Sequence, residues 1–300
     1  MRKVLLTGAS GYAGAAIQAG LRACGLTVLT AGRRRNDDVY MDLLRPENLA
    51  RLAIPSDIDA LIHMAAANEV MCRQEPVSAY TANVTSTQAL LRAAESAGIR
   101  RLLYLSTFHV FGAPSGTLDE CTVPAPANDY GMTHWMAEQA FLMQGRRTGA
   151  QVCILRASNL FGEPADWGTF DRWTLAPFDF TRQAVTNAAI SLLTNGAPVR
   201  NYVSLSFLRR SVIAALAGEL PAITHIAGTA WSMAELAELS ARIVRAETAR
   251  EVKVSLGNAS PRETAYSFIS KHWPLENCMK EDDMAAFLRG VARWLMANPQ

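Results

Sequence analysis

The feature that most limits what this chain can become is a set of glycines close behind a short apolar run. Val4-Leu5-Leu6-Thr7 reads as a strand buried on both faces. Gly8-Ala9-Ser10-Gly11-Tyr12-Ala13-Gly14 follows directly and opens into a helical pattern from Ala15 to Ala23. Glycines at 8, 11 and 14 between a strand and a helix serve three ends. They permit the tight turn, let backbone N–H groups approach a pyrophosphate, and let the helix pack close to the sheet. Plain turns also use glycine, but a trio straight after an N-terminal strand points to a dinucleotide.

The next segments alternate in the same way. Thr27 to Thr30 reads as the second strand, Val39 to Leu43 and Ala60 to Met64 as the third and fourth, with a helix after Pro46 between them. Val77 to Ala97 is a long helical pattern stopped by Gly98, and Arg101 to Leu105 is the fifth strand. This alternation predicts an α/β fold, a doubly wound parallel sheet (Rossmann) with its ligand at the carboxyl ends of the strands. Ala65-Ala66-Ala67, small residues after the fourth strand, would let backbone approach that ligand. His63, ahead of them, reads as a packed core histidine. After the second strand the chain has no acid until Asp37 and offers Arg33-Arg34-Arg35 instead. An acid there would serve a ribose 2′-hydroxyl, whereas arginines suit a 2′-phosphate, so NADP is expected ahead of NAD. The alternative is a solvated basic turn.

A second stretch carries candidate chemistry. Tyr130-Gly131-Met132-Thr133-His134 opens a helix after a loop marked by Pro114, Pro124 and Pro126. Residues 130 and 134 are i and i+4 and share a helical face, so a phenol and a titratable nitrogen stand together. They could cooperate in moving a proton, or simply begin an ordinary helix.

Composition excludes several classes. The formal charge of +2 over 300 residues, without a basic patch, argues against nucleic acid. The five cysteines are scattered and form no C-x-x-C pair, which fits a reducing compartment better than a disulfide framework or a zinc site. The apolar run after Met1-Arg2-Lys3 stops at Thr7-Gly8, too soon for a signal peptide, and no run reaches the ~18 residues of a membrane span. A cytoplasmic protein without a bound metal is expected.

Taken in order, these motifs resemble the extended short-chain dehydrogenase/reductase family, the nucleotide-sugar epimerase, dehydratase and ketoreductase group. Thr7-Gly8-x-x-Gly11-x-x-Gly14 is similar to its cofactor loop and Asp42-Leu43 to its adenine-contacting pair; His63-x-Ala65-Ala66 and Asn83 match further motifs. Ser106-Thr107-x-x-Val110-Phe111-Gly112 resembles the family's Ser-Ser/Thr-x-x-Val-Tyr-Gly, and Tyr130-x-x-x-His134 followed by Ala137-Glu138 stands where the family has Tyr-x-x-x-Lys. Leu155-Arg156 with Asn159-Leu160-Phe161-Gly162, and Arg200-Asn201-Tyr202-Val203-Ser204-Leu205, extend the likeness. The resemblance implies Tyr130 as proton donor or acceptor, Thr107 bound to the same substrate oxygen, and residues 130 and 134 beside the nicotinamide ribose. It further implies cofactor contacts from Gly8, Gly11, Tyr12, Gly14, Arg33, Asp42, Leu43, Ala65, Ala66 and Asn83, and substrate contacts from Asn159 and from Arg200 on a sugar-nucleotide diphosphate. A homodimer through the helices beginning near Val77 and Tyr130 is implied as well.

The chain departs from that pattern at two places. A lysine lowers the tyrosine pKa by its charge, whereas a free imidazole, with a pKa near 6.5, is largely neutral at pH 7. With His134 there, three outcomes stand open: a slow enzyme, an enzyme using charged His134 beside phosphates, or a cofactor-binding protein without turnover. Phe108-His109 replaces the Asp-Glu of the family's dehydratases, which disfavours dehydration; His109 is either an acid/base or a loop-facing histidine. The expected function is an NADP(H)-dependent ketoreductase or epimerase of a nucleotide-sugar. A non-sugar carbonyl reductase, suggested by aromatic residues around 167–180, and a cofactor sensor are the alternatives.

The second half reads as a smaller, interleaved substrate-binding lobe. The expected division is 1–158 for the dinucleotide domain, with returning segments near 199–217 and 223–228, and 159–198 plus 229–300 for the lobe. Trp167 and Trp173 could stack on a base or fill the core. Thr181 to Leu193 reads as helical, Met233 to Arg245 as a helix capped by Ser232, and Asp282 to Met296 as an amphipathic closing helix.

Overall fold

The computed structural model describes residues 2–49, 51–259, 266–273 and 283–299. The first stretch of chain forms β1 (Lys3–Thr7), α1 (Tyr12–Ala23), β2 (Thr27–Gly32), β3 (Val39–Tyr40), α2 (Pro46–Leu49) and β4 (Ala60–His63). Three helices follow, α3 (Glu69–Gln74), α4 (Pro76–Tyr80) and α5 (Ser86–Ser96), the last two joined by a π-helical turn over Thr81–Thr85. Then come β5 (Arg101–Thr107), a 3-10 turn over Phe108–Phe111, β6 (Gly116–Leu118), α6 (Asp129–Thr148) and β7 (Gln151–Ala157). The remainder gives β8 (Asn159–Phe161), α7 (Ala176–Asn187), β9 (Ala189–Ser191), β10 (Val199–Ser204), α8 (Leu205–Ala217) and β11 (Ile223–Ile226). It closes with β12 (Thr229–Ser232), α9 (Met233–Thr248), β13 (Lys253–Ser255), β14 (Tyr266–Phe268) and α10 (Met284–Ala297).

Seven strands form one sheet in the order β11-β7-β5-β4-β1-β2-β3, and every neighbouring pair in it is parallel. The doubly wound parallel sheet expected from the alternation is therefore present. Side chains alternate across it as the two-residue strand period demands. Val4 and Leu6 join Ile17, Leu21, Phe207 and Leu208 on the α1/α8 face. Leu5 joins Leu61, Leu90, Tyr104 and Phe141 on the α5/α6 face. Each such fully buried large side chain contributes roughly 1.5–3 kcal/mol relative to exposure. A separate core of Phe161, Phe178, Phe180, Leu236, Phe287, Leu288 and Val291 lies among α7, α9 and α10.

Several boundaries differ from the sequence reading. The third strand keeps only Val39–Tyr40 of the expected Val39 to Leu43, because the Asp42 carboxylate accepts from Leu44 N (3.0 Å) and turns the chain off the sheet edge. The Val77 to Ala97 pattern is continuous helix but carries the π turn, and α3 before it was not foreseen. Thr181 to Leu193 is not one helix. α7 ends at Asn187, Ala188 takes the left-handed conformation (φ 51°), and Ile190 becomes a buried residue of β9 paired with Val254. α9 begins as expected, with a complete capping box between Ser232 and Glu235. α10 buries Met284, Phe287, Leu288, Val291 and Leu295 as their spacing predicts, with Asp283 as its cap; Asp282 lies outside the described residues. Among the described residues no helix is long and apolar enough to cross a membrane.

Two hydrogen-bonding centres tie together segments far apart in the chain. The Tyr12 hydroxyl donates to Gly162 O (2.7 Å), linking the glycine loop to the segment that follows β8. The Glu120 carboxylate accepts from His225 N (2.9 Å), Ser270 Oγ (2.5 Å) and Lys271 N (2.9 Å), joining three distant segments.

Candidate active site

The cradle at the carboxyl end of β1 is built from what its glycines lack. Gly8 has φ +73°, and a Cβ there would lie 2.7 Å from Ala65 N; a Cβ on Gly14 would lie 2.0 Å from Gly8 O. α1 therefore sits directly on the loop. Its N-cap, Gly11, provides no side-chain cap, and the first turn holds no acid. The opening N–H groups of α1 and the positive end of its dipole are left for an anion. The cavity above them, about 500 Å³, is lined by Gly8, Gly11, Tyr12, Gly14, Arg33, Asp42, Leu43, Ala65 and Ala66, together with Thr107, Tyr130 and His134. These residues fit a dinucleotide. Tyr12 lines it while its hydroxyl is committed to Gly162.

Asn83 stands behind the cavity instead of in its wall. Its Oδ1 accepts from Ala67 N (2.6 Å) and its Nδ2 donates to Thr133 Oγ1 (3.0 Å), so it braces the 65–68 loop against α6. His63 is the core histidine expected. Thr87 Oγ1 donates to Asn83 O (2.7 Å), so it accepts from His63 Nε2 (3.1 Å), and Thr7 Oγ1 donates to Nδ1 (2.8 Å). Burial lowers the His63 pKa to about 4.

At the end of β2 the structure adds a residue the sequence reading passed over. Asp37 folds back through a turn closed by Arg34, its carboxylate accepting from Arg34 N (2.8 Å). It lies so near Gly32 that a Cβ there would be 2.5 Å from Asp37 Oδ2. Asp37 and exposed Arg33 both line the cavity, so the ribose end presents a carboxylate and a guanidinium together.

Thr107 closes β5, and its Oγ1 accepts from His109 N (3.2 Å), capping the 3-10 turn. Asn128 caps α6 through Gly131 N (2.9 Å), and a Cβ on Gly131 would lie 2.4 Å from His109 O. The start of α6 is thus pressed onto that turn, and Tyr130 and Thr107 both line the cavity. One helical turn on, the His134 ring meets Tyr130 edge-on (4.6 Å between centroids, 67°). The Tyr104 hydroxyl, the stronger acid of the pair, donates to His134 Nδ1 (2.7 Å), which leaves Nε2–H buried without a protein partner. Burial, reinforced by His109 and His63, drives the His134 pKa down to about 3. Burial thus favours the neutral form of His134. Burial, with help from the Glu69 carboxylate, raises the Tyr130 pKa, while Arg172 and the Thr107 hydroxyl act against them.

Three further groups border the site. His109 Nε2 lies 3.3 Å from Glu69 Oε1, its ring 5.5 Å from that of Tyr130; burial lowers its pKa, opposed by Glu69 and aided by Arg200. Arg172 lines the same wall. Beneath them Glu138, wholly buried, takes Arg156 Nε (3.0 Å) and Nη2 (2.7 Å) and Ser106 Oγ (2.5 Å), tying α6 to β5 and β7. A charge inside the apolar strand Cys153-Ile154-Leu155-Arg156 was the signal for that pair.

A second cavity of about 390 Å³ is lined by Arg200, Tyr202, Pro177, Phe180, Leu192 and Met233, and shares Asn159, Leu160 and Leu175 with the first. Asn159 is fixed through its Nδ2 to Asn201 O (2.9 Å). Trp167 and Trp173 line neither cavity. Trp167 stacks on Trp294 (4.6 Å, 12°) against the second core, which is the core-filling alternative. No group of three or more potential metal ligands occurs among the described residues.

Residues 4–217 match the NAD dependent epimerase/dehydratase family. A UDP-glucose 4-epimerase of Azospirillum brasilense is 32% identical over 176 residues, 54% of this chain and 51% of that protein. The chain spans about half the length of the curated relatives it matches. In fold it is similar to UDP-glucuronic acid 4-epimerase from Bacillus cereus in complex with UDP-glucuronic acid and NAD (TM-score 0.78, 19% identity, 98% of this chain and 99% of that one). It is equally similar to RMD from Pseudomonas aeruginosa complexed with NADPH (TM-score 0.78, 20% identity, 98% of each chain).

Proposed function

The chain belongs to the NAD dependent epimerase/dehydratase family, and from that premise we propose that it interconverts a secondary alcohol and a ketone on a nucleotide-activated sugar. The reading rests on one observation: the Thr107–Tyr130 pair lines a dinucleotide-sized cavity that shares Asn159, Leu160 and Leu175 with the cavity of Arg200. A nicotinamide dinucleotide bound in the first cavity would supply the two-electron exchange with the sugar carbon. The α1 N-terminus and the backbone of Ala65 and Ala66 would hold its phosphates and ribose. His134 Nε2–H, buried and without a protein partner, would donate to the nicotinamide ribose.

Tyr130 then handles the proton and Thr107 fixes the oxygen that receives it. Because burial keeps the phenol protonated, Tyr130 is set to give a proton to a ketone more than to take one from an alcohol. We adopt ketoreduction ahead of epimerisation because exposed Arg33 in the cavity suits NADPH. Arg200 suits the diphosphate of the sugar nucleotide, in keeping with the UDP-sugars held by relatives of this fold. Arg33 favours NADPH, and Asp37 opposes it by placing a carboxylate beside Gly32; NADPH with residual use of NADH is the reading we adopt. A non-sugar carbonyl substrate loses its support once Trp167 and Trp173 are core residues. Exposed Val77, Met136 and Met143 on α4 and α6 suit a homodimer, and free thiols at Cys24, Cys72, Cys121 and Cys153 suit the cytoplasm.

The test is turnover of 4-keto and 4-hydroxy sugar nucleotides with NADPH and NADH, followed by absorbance, for the wild type and Tyr130→Phe. The variant is expected to lose about 10²–10⁴-fold in kcat with dinucleotide affinity unchanged. Dinucleotide binding without turnover of any sugar nucleotide would favour the sensor alternative that neutral His134 suggests.

A further inference from the structure

A tyrosine that gives up its proton becomes a phenolate, and here its own helix offers no cation to meet it. His134 is buried and neutral, and its Nδ1 is occupied by Tyr104. The groups acting on Tyr130 come from every element packed around it. Glu69 and Cys72 belong to α3, Thr107 ends β5, and His109 belongs to the 3-10 turn, with its Nε2 toward Glu69. His134 follows on α6. The carboxylate and the thiol oppose ionisation of the phenol.

Two cations line this cavity among the described residues, Arg33 at the ribose end and Arg172. Arg172 lies in the turn before α7, where its carbonyl accepts from Leu175 N (3.1 Å). Leu175 in turn is shared by both cavities. Among the described residues the one carboxylate within ion-pair reach of the guanidinium is that of Asp171, at the 4.0 Å limit and 89% exposed.

We infer that Arg172 supplies, from the second lobe, a positive charge to the cavity that Tyr130 lines, in place of the cation that the related sequence pattern carries at position 134. Its effect on the phenol has the required sign: the guanidinium pulls the Tyr130 pKa down against burial and Glu69. The role rests on the ketoreductase function proposed for this site. In the step it assists, the Tyr130 O–H bond breaks and an O–H bond forms on the substrate oxygen. The carbonyl carbon gains a C–H bond with two electrons from a reduced nicotinamide, and the new phenolate shares its cavity with the Arg172 guanidinium. Arg172 touches neither proton nor carbon, so it is a positioning residue acting through charge. Because it sits in the same lobe as the Arg200 cavity, the proton donor reaches full strength only with that lobe in place.

The test reads the phenol itself and does not require turnover. Tyr130 is replaced by a fluorinated tyrosine, whose ionisation falls in a measurable range, and titrated by fluorine NMR in the full chain. Backgrounds are wild type, Arg172→Gln, Arg172→Lys and His134→Lys/Arg172→Gln. Arg172→Gln is expected to raise the midpoint by about one pH unit or more, the scale of a nearby opposite charge. Arg172→Lys keeps most of the wild-type value, and His134→Lys restores it in the double variant. An unchanged midpoint in Arg172→Gln overturns the inference whether or not any sugar nucleotide turns over. In the turnover assay Arg172→Gln is expected to lower kcat about tenfold; a rise in KM alone would instead make Arg172 a substrate contact and also overturn it.

Discussion

Replacing Glu138 by glutamine strands a charge in the middle of the protein. Arg156 is 2% exposed and Glu138 wholly buried, and two hydrogen bonds of 3.0 and 2.7 Å join them. The guanidinium also packs over the Phe111 ring at 5.3 Å, so it has no route to water. Removing one member of such a pair leaves the other uncompensated, at a cost of about 3–5 kcal/mol. Two changes at once should behave differently. Glu138→Gln with Arg156→Met removes both charges, so no uncompensated charge stays buried. Equilibrium urea unfolding of the wild type, both single variants and the double variant measures this directly. The expected result is a loss of about 3–5 kcal/mol in each single variant and recovery of most of it in the double. A single-variant loss below about 1 kcal/mol, the range of an exposed pair, would falsify the claim that this pair is desolvated and joins α6 to the sheet.

Two further outcomes concern the buried histidines and the ribose end of the cavity. His63 and His134 have folded pKa values near 4 and 3, well below the free value. Between about pH 6.5 and those values the unfolded chain binds more protons than the folded one, so stability is full above about 6.5 and falls as pH drops, by up to about 1.4 kcal/mol per unit per histidine. A urea midpoint that stays level from about pH 6.5 to 4.5 would contradict that burial. At the ribose end, Asp37→Asn is expected to improve NADPH affinity relative to NADH about tenfold, and Arg33→Ala to reverse the preference by a similar factor. Fluorescence titration with each dinucleotide checks both; equal effects on the two cofactors would remove Asp37 and Arg33 from the 2′ position.

Residues were legible in the sequence where their signal was local. The glycine spacing needed only the backbone geometry of one strand-turn-helix unit, and it led to the Gly8–Gly14 cradle and to the parallel sheet. Tyr130 and Thr107, which the structure brings to one cavity, could be singled out because their motifs are short and ordered along the chain. Asp37 was discounted for being too far from β2, since nothing in Arg34-Asn36 announced the turn that returns it to Gly32. Arg172 and Glu69 could not be seen at all: each enters the cavity of Tyr130 from another element, and no periodicity encodes contact between elements. His134 shows a subtler limit. Its type was noted as a departure, but its neutrality comes from burial beneath Tyr104, which the order of residues does not reveal. The misread helix over 181–193 has a similar source, because an apolar run such as Ile190-Ser191-Leu192 suits a helix or a short strand until a partner is known.

The Glu120 carboxylate has a consequence in time. Chains are made from the N-terminus, and the groups that Glu120 accepts from stand 105, 150 and 151 residues further on. At about 5–20 residues per second, Ser270 and Lys271 emerge on the order of ten seconds after Glu120 itself. Until then the loop beyond the 3-10 turn carries an acid without these three donors, and β6 carries an edge that, among the described residues, β14 covers. The loop leading from Thr107 to Tyr130 is thus among the last parts of the protein to find its neighbours. A nascent chain halted before residue 266 would already hold every glycine of the cradle, yet would leave this stretch open to proteases and to unintended strand partners.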